Sequence, residues 1–234
     1  MRIICVQFDF EERGEIYAPL LEVFRRSCAA HMPDVTFEAI RVPPPKIKEG
    51  VTRGFSTNTA KLAIWAKAVA ESQEPLLLSD CDMLCLRDLR DVWDKDFDIA
   101  YTVRSGCRLP FNSGVVFVKA TDAARKFVAE WRDVNDRMFS NSTLHSPYRT
   151  KYSGMNQAAF GYLLERRTVP HAKIIALPCK EWNCCNEDWE KVDLKTTRLV
   201  HFKGSLRAAA LQPGSVPPSA VATLVKEWKR YAVA

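Results

Sequence analysis

The sequence predicts an α/β domain, and three observations predict it. An alternating stretch, "RIICVQFDF", is followed by a helical period in "EIYAPLLEVFRRSCAAH" and then by a second strand, "VTFEAIRV", a β-α-β opening. Later in the chain, short apolar runs again alternate with amphipathic stretches. Apolar residues make up 47% and charged residues 26%, the mix of a globular protein that buries a proper core.

Each element has its own signal. In the first helix Ile16, Leu20, Val23 and Phe24 fall at helical spacing, and Pro43, Pro44 and Pro45 stop the second strand. Thr57 or Asn58 is expected to cap the next helix, whose inward face is Leu62, Trp65 and Val69. "PLLLSDCDMLCL" then supplies the most apolar strand, "LRDLRDVW" a short helical turn and "FDIAYTV" another strand. "PFNSGVVFVK" reads as a strand entered through Asn112-Ser113-Gly114. Thr121 is the expected cap of a helix carrying Phe127, Trp131, Val134 and Met138 on one stripe. Residues 140 to 152 are polar, include Pro147 and read as a surface loop, whereas "SGMNQAAFGYLLERR" reads as a helix. "AKIIALP" and "TRLVHFKG" are late strands around an irregular Trp- and Cys-rich stretch. "PPSAVATLVKEWKRYAV" closes as an amphipathic helix with a basic face, and one domain is expected throughout.

No stretch approaches the roughly eighteen unbroken apolar residues of a membrane span. "MRIICVQFDF" does not read as a secretory leader. The eight cysteines show no disulfide framework, and Cys179, Cys184 and Cys185 lack the spacing of a zinc site. Reduced thiols in a cytoplasm, bacterial or that of a phage-infected cell, are therefore expected. The net charge of +6 permits a phosphate-bearing partner without demanding one.

Asp80-Cys81-Asp82 carries the chemistry. Fourteen aspartates in 234 residues predict roughly one Asp-x-Asp pair by chance, and the chain has three, so the pattern alone is weak. The pairs in Asp94-Lys95-Asp96-Phe97-Asp98 fall between a helix and a strand, where a solvated turn explains them. Asp80 and Asp82 instead follow directly on Leu76, Leu77 and Leu78, and ligands of open α/β sheets bind at the carboxyl ends of strands. Two carboxylates there either stand in water or share a hard cation. Near the C-terminus "RLVHFKGSLR" offers His201 as a third ligand, Gly204 for close backbone approach, and Lys203 or Arg207 against phosphate charge. The plainer alternative makes His201 a satisfied strand histidine.

Taken together, "LLLSDCDMLCLRDL", "PFNSGVVFVK", "SGMNQAAF" and "HFKGSLR", in this order, resemble the GT-A glycosyltransferases of the family-8 type, whose relatives include glycogenin and bacterial lipopolysaccharide galactosyltransferases. The resemblance spans residues 1 to 207. It implies a single Rossmann-like GT-A domain of the nucleotide-diphospho-sugar transferase class, with a mixed central sheet flanked by helices. Residues 1–110 would form its nucleotide-binding half, 111–207 its sugar and acceptor half, and 208–234 a tail with the basic helix. By resemblance Asp80, Asp82 and His201 hold Mn²⁺ or Mg²⁺, and Lys203, Gly204 and Arg207 take the diphosphate, with arginine where lysine is usual. Val6, Gln7 and Phe8 border the nucleotide, Ser79 and Cys81 flank the donor, and Lys61 sits near the donor sugar unless it lies on an exposed helix face. Asn112 and Ser113 line the sugar pocket, or else belong to a plain turn before a strand. Asn156, Gln157 and Asn112 are the catalytic candidates. Asn156 stands where the family has an aspartate, and an amide is neither nucleophile nor base. Trp182 and Asn183 are candidates for the acceptor side.

The implied activity is a retaining transfer of a hexose from a nucleotide-diphosphate sugar, a UDP-sugar foremost, to a hydroxyl. The acceptor would be a glycan or lipopolysaccharide, a lipid-linked sugar approached through Lys226, Trp228, Lys229 and Arg230, or a hydroxymethylated base in DNA. Two other classes compete. A nucleotidyltransferase would want a glycine-rich phosphate loop after the first strand, where "DFEERGEIY" has one glycine. A catalytically degenerate sugar-nucleotide-binding protein draws its support from Asn156.

Overall fold

A computed structural model describes residues 1–10, 14–47, 49–104, 110–212 and 219–232. The chain runs through β1 (Arg2–Phe8), α1 (Gly14–His31), β2 (Thr36–Val42), α2 (Arg53–Glu71), β3 (Leu76–Ser79) and β4 (Met83–Cys85). After a 3-10 turn at Arg90–Asp94 come β5 (Ile99–Val103), β6 (Phe111–Val118), α3 (Asp122–Ser140), α4 (Ser142–Tyr152) and α5 (Asn156–Arg166). It closes with β7 (Ile174–Pro178), α6 (Cys179–Trp182), β8 (Leu199–His201), α7 (Gly204–Leu211) and α8 (Ser219–Ala232).

Six strands form a mixed sheet in the order β2-β1-β3-β6-β5-β7, in which β6 runs antiparallel to both of its neighbours. The expected α/β architecture with a mixed, helix-flanked sheet is thus observed. β3 lies inside the sheet and all four of its residues are buried, which is why its sequence is continuously apolar rather than alternating. Period-two geometry divides the core between the two faces. Ile4, Leu76, Leu78 and Val116 pack with Leu62, Trp65 and Val69 of α2, Phe127, Trp131 and Val134 of α3, and Phe160 of α5. Ile3, Leu77 and Phe117 face the other way, towards Phe24, Cys28 and Met32 of α1.

A second, two-stranded sheet pairs β4 with β8, antiparallel, and sets Met83 opposite His201. α7 and α8 cover it through Leu206, Leu224, Val225 and Trp228, which pack around Phe202 and Val200.

The structure corrects several local expectations. α2 starts earlier than expected, capped by Thr52, whose hydroxyl accepts from the Phe55 amide at 3.3 Å; Thr57 and Asn58 lie inside the helix. Residues 140 to 152 are not a loop. Asn141 ends α3 and caps α4, accepting from the Leu144 amide at 3.1 Å, and this cap carries the helix despite the hydrogen bond lost at Pro147. Asn112-Ser113-Gly114 is no turn but part of β6. Its polarity is absorbed locally, since Asn112 Oδ1 accepts from the Gly114 amide at 2.9 Å. Trp228 is not an anchor at the surface: it is 4% exposed and lies 6.2 Å from the Phe202 ring, leaving Lys226, Lys229 and Arg230 as the exposed cations of α8. Pro217 and Pro218, the expected start of that helix, lie outside the described residues. Among the described residues no helix is long and apolar enough to cross a membrane.

Trp228→Ala is expected to lower stability by about 3–5 kcal/mol, as for other large aromatic truncations in a core, measured as a shift in the urea unfolding curve. A variant as stable as the parent would remove Trp228 from the core.

Candidate active site

β3 delivers Asp80 and Asp82 at its carboxyl end, and two neighbouring strands then hold them. The Asp80 amide donates to the Gly114 carbonyl of β6 at 2.9 Å, and the Asp82 carbonyl accepts from the Phe202 amide, just beyond β8, at 2.7 Å. The register of β4 against β8 brings His201 beside them. His201 Nε2 lies 3.1 Å from Asp82 Oδ1 and 3.7 Å from Asp80 Oδ2, and one ligand atom from each of the three residues falls within 4.8 Å of the others. Among the described residues this is the only such grouping of three metal-ligating side chains.

The surrounding charges answer the two acids. Lys61 of α2 is buried, not on an exposed face, and its ammonium bonds Asp80 Oδ1 while lying 4.5 Å from the centre of the Trp65 ring. Arg207 of α7 reaches Asp82 Oδ2 at 3.5 Å and donates to the Tyr17 hydroxyl of α1 at 3.2 Å. Burial pushes the Asp82 carboxyl up, but His201 and Arg207 outweigh it and hold the group below the usual carboxylate range. Burial likewise opposes charging His201, yet Asp82 and Asp80 raise its pKa above the ordinary imidazole value. The cluster therefore favours positive charge at its centre. Two carboxylate oxygens and one imidazole nitrogen are a donor set that fits a divalent cation.

Glycine at 114 permits this packing. A Cβ there would stand 2.9 Å from His201 Cε1 and 3.0 Å from Asp80 Oδ2. Gly204, with φ of +53°, lets the chain turn from β8 into α7, a left-handed conformation that other residues adopt at a cost.

Two cavities meet at this cluster and share Asn58, Lys61, Asp80 and His201. One, of about 200 Å³, lies against β1 and is lined by Val6, Gln7, Phe8, Phe10, Tyr17 and Cys81. The other, of about 400 Å³, lies against β6 and the start of α5, with Asn112, Ser113, Asn156, Gln157, Arg104 and Lys203 on its wall. Ser113 and the α5 amides form one unit there. Asn156 Nδ2 donates to Ser113 Oγ at 3.1 Å, and Gln157 accepts from the Ser113 amide at 3.2 Å while donating to the Tyr152 carbonyl at 2.8 Å. Next to them Ser153 holds φ of +59° and ψ of 162°, a backbone conformation that costs a non-glycine residue about 1–3 kcal/mol.

Some expected site residues stand elsewhere. Ser79 is fully buried and its hydroxyl donates to the Asp80 carbonyl, so it lines neither cavity. Trp182 packs against Phe117, and Asn183 is buried with its amide on Thr102 Oγ1 at 2.9 Å; neither lines either cavity. Arg207 is engaged by Asp82 and Tyr17 rather than lining either cavity. Cys179 and Cys185 are buried free thiols 3.8 Å apart, and Cys107 lies outside the described residues. Sequence reasoning missed Tyr17, Phe10, Asn58 and Arg104 as cavity residues. Two of them carried a signal: Asn58 precedes Lys61 by one helical turn, and Arg104 directly follows the carboxyl end of β5.

A family model described as nucleotide-diphospho-sugar transferase matches residues 46–208. Comparison with curated proteins finds no match. Among solved structures, a glycosyltransferase involved in the glycosylation of the major capsid of PBCV-1 is similar at 16% identity and a TM-score of 0.62, over 88% of this chain and 94% of that one. The glycosyltransferase GlyE of Streptococcus pneumoniae TIGR4 is similar at 13% identity and a TM-score of 0.64, over 100% of this chain but 61% of its own. The galactosyltransferase LgtC, solved with donor and acceptor sugar analogues, is similar at 16% identity and a TM-score of 0.55, over 99% of this chain and 95% of its own. At these identities the likeness is one of fold.

Gly114→Ala is expected to weaken divalent-metal binding by about 10–100-fold, the scale of disturbances to residues packed around a metal site, read by calorimetric titration with MnCl₂. Unchanged affinity would show that the three side chains tolerate the added methyl.

Proposed function

The chain belongs to the nucleotide-diphospho-sugar transferase family and has the GT-A fold, and from that premise we propose that it transfers a hexosyl group from a UDP-sugar to a hydroxyl acceptor, with retention and with a divalent cation. The carrying observation is that the two cavities meet at Asp80, Lys61 and His201. A donor fits across that junction. Its nucleoside lies against β1, its diphosphate at the cluster and its sugar against Ser113, Asn156 and Gln157. In this reading residues 1–110 build most of the nucleotide side, 111–207 most of the sugar side, and 208–234 support β8 from outside.

Asp80, Asp82 and His201 would hold the cation, Mn²⁺ or Mg²⁺, whose chemistry when bound is to stabilise charge on the departing diphosphate. Lys203 adds a positive charge beside the leaving group, while Arg207 fixes Asp82 rather than touching the donor. The acceptor oxygen bonds to the anomeric carbon as the bond from that carbon to the β-phosphate oxygen breaks. The electron pair leaves with the diphosphate, and the hydroxyl proton passes to it. Asp80, paired with Lys61, is the sole carboxylate on the described wall of the sugar cavity, and Asn156 and Gln157 are amides. That supports attack from the face the diphosphate leaves over a covalent sugar–carboxylate intermediate.

UDP release from a panel of UDP-sugars, with and without MnCl₂, tests this, and it also separates an enzyme from a protein that only binds the donor. Release is expected to require the metal. Asp80→Asn or Asp82→Asn is expected to reduce it by about 100-fold or more. Full activity of either variant without added metal overturns the proposal.

A further inference from the structure

The uncharged polar side chains on the wall of the cavity against β6 are mostly occupied with the protein itself. Asn112 Oδ1 accepts from the Gly114 amide at 2.9 Å, and its Nδ2 donates to Cys185 Sγ at 3.4 Å. Asn156 donates to Ser113 Oγ, and Gln157 bridges the Ser113 amide and the Tyr152 carbonyl. Among the described residues, two such side chains on this wall make no hydrogen bond to the protein, Asn58 and Ser153. Asn58 lines both cavities and so stands at their junction, whereas Ser153 lines this cavity alone.

Ser153 occupies that place at a cost. Its amide donates to the Arg149 carbonyl at 3.0 Å as α4 ends, and the Gly154 carbonyl accepts from His145 Nε2 at 3.0 Å. The turn into α5 is thus pinned on both sides, which holds Ser153 at φ of +59° and ψ of 162° and Gly154 at φ of +63°. Glycine would take the first of these positions without strain, as it takes the second. Serine brings only a methylene and a hydroxyl, and that hydroxyl has no partner among the described residues. Backbone strain held on the wall of a ligand cavity points to the ligand as the missing partner.

We propose that Ser153 is a specificity-determining residue of the transfer, its hydroxyl bonding one hydroxyl of the donor sugar. Each of the two groups can both donate and accept, so the pairing is chemically matched. This rests on the reading of the cavity against β6 as the donor-sugar site.

The test compares UDP-glucose and UDP-galactose with their 2-, 3-, 4- and 6-deoxy analogues. Calorimetric affinity and UDP release in MnCl₂ are measured for the parent, Ser153→Gly and Ser153→Ala, with UDP alone as the control for an intact nucleotide site. The parent is expected to bind one full sugar about tenfold more tightly than the analogue lacking one particular hydroxyl, the scale of a hydrogen bond between neutral groups. Both variants are expected to lose that tenfold on the full sugar and to treat it and the same analogue alike, with UDP affinity unchanged. Ser153→Gly is also expected to unfold at higher urea than Ser153→Ala, because alanine keeps the strain that glycine sheds. A parent indifferent to every hydroxyl, or a variant that discriminates among the analogues as the parent does, overturns the inference and leaves the transferase reading standing. So does a glycine variant no more stable than the alanine one, which removes the strain on which the inference stands. Failure to bind UDP, with no release from any donor, takes down both.

Discussion

Two carboxylates and an imidazole are forced together at the buried end of β3, and much of the surrounding structure serves to make that tolerable. Like charges about 4 Å apart repel by roughly 4 kcal/mol at an effective dielectric of 20, and a partly buried pair cannot rely on water to relieve it. The protein supplies opposite charge from two directions, Lys61 from α2 and Arg207 from α7, and sets the His201 imidazole of β8 against both acids. It also pins the main chain of each aspartate to a different strand, Asp80 to β6 and Asp82 to the end of β8. The small β4–β8 sheet sets the distance between Asp82 and His201, and Trp228 holds that sheet from behind through Phe202.

The same constraint separates this Asp-x-Asp from the other two in the chain. Asp96 is exposed and pairs with Lys173 Nζ at 2.8 Å, while Asp98 accepts from Thr121 Oγ1 at 2.6 Å and from the Lys173 amide at 2.7 Å. Those carboxylates tie β5, α3 and β7 together at the amino end of β5 and have all the partners they need. Asp80 and Asp82 are gathered on a third ligand from distant sequence, in a wall shared with two cavities. Pattern is identical in the three cases; the end of the strand on which the pair stands is what differs.

That contrast marks what the sequence made legible. Strand and helix periodicity revealed β1, α1, β2, β3 and α3, because each hides one face or is buried on both. It failed where a polar residue finds its partner nearby in space. Asn112-Ser113-Gly114 has the composition of a turn, but its amides and carbonyls are taken up by the ladder and by the Asn112 side chain, so it continues as strand. Pro147 argues for a loop, but the Asn141 cap and the His145 Nε2–H bond to the Gly154 carbonyl at 3.0 Å hold a helix around it. His201 is more than a hundred residues from Asp82, so no local period links them; its place at the end of an apolar strand offered it as a third ligand, and the family resemblance implied the pairing. Tyr17 belongs to the site through tertiary placement alone.

Asn156 shows how far such reasoning carries into the chemistry. Its amide is buried and committed to Ser113 Oγ, and Gln157 is committed to the Ser113 amide and the Tyr152 carbonyl. Both side chains therefore fix the shape of the cavity against β6, and neither can accept a proton or form a bond to carbon. Among the described residues of that wall the one carboxylate, Asp80, is already paired with Lys61. On the proposed reading, the acceptor proton must leave with the diphosphate, and the barrier depends on how well charge on that leaving group is stabilised. Catalytic demand then falls back on the crowded cluster at the end of β3, whose two cationic neighbours, Lys61 and Arg207, are what allow its carboxylates to stand ready there.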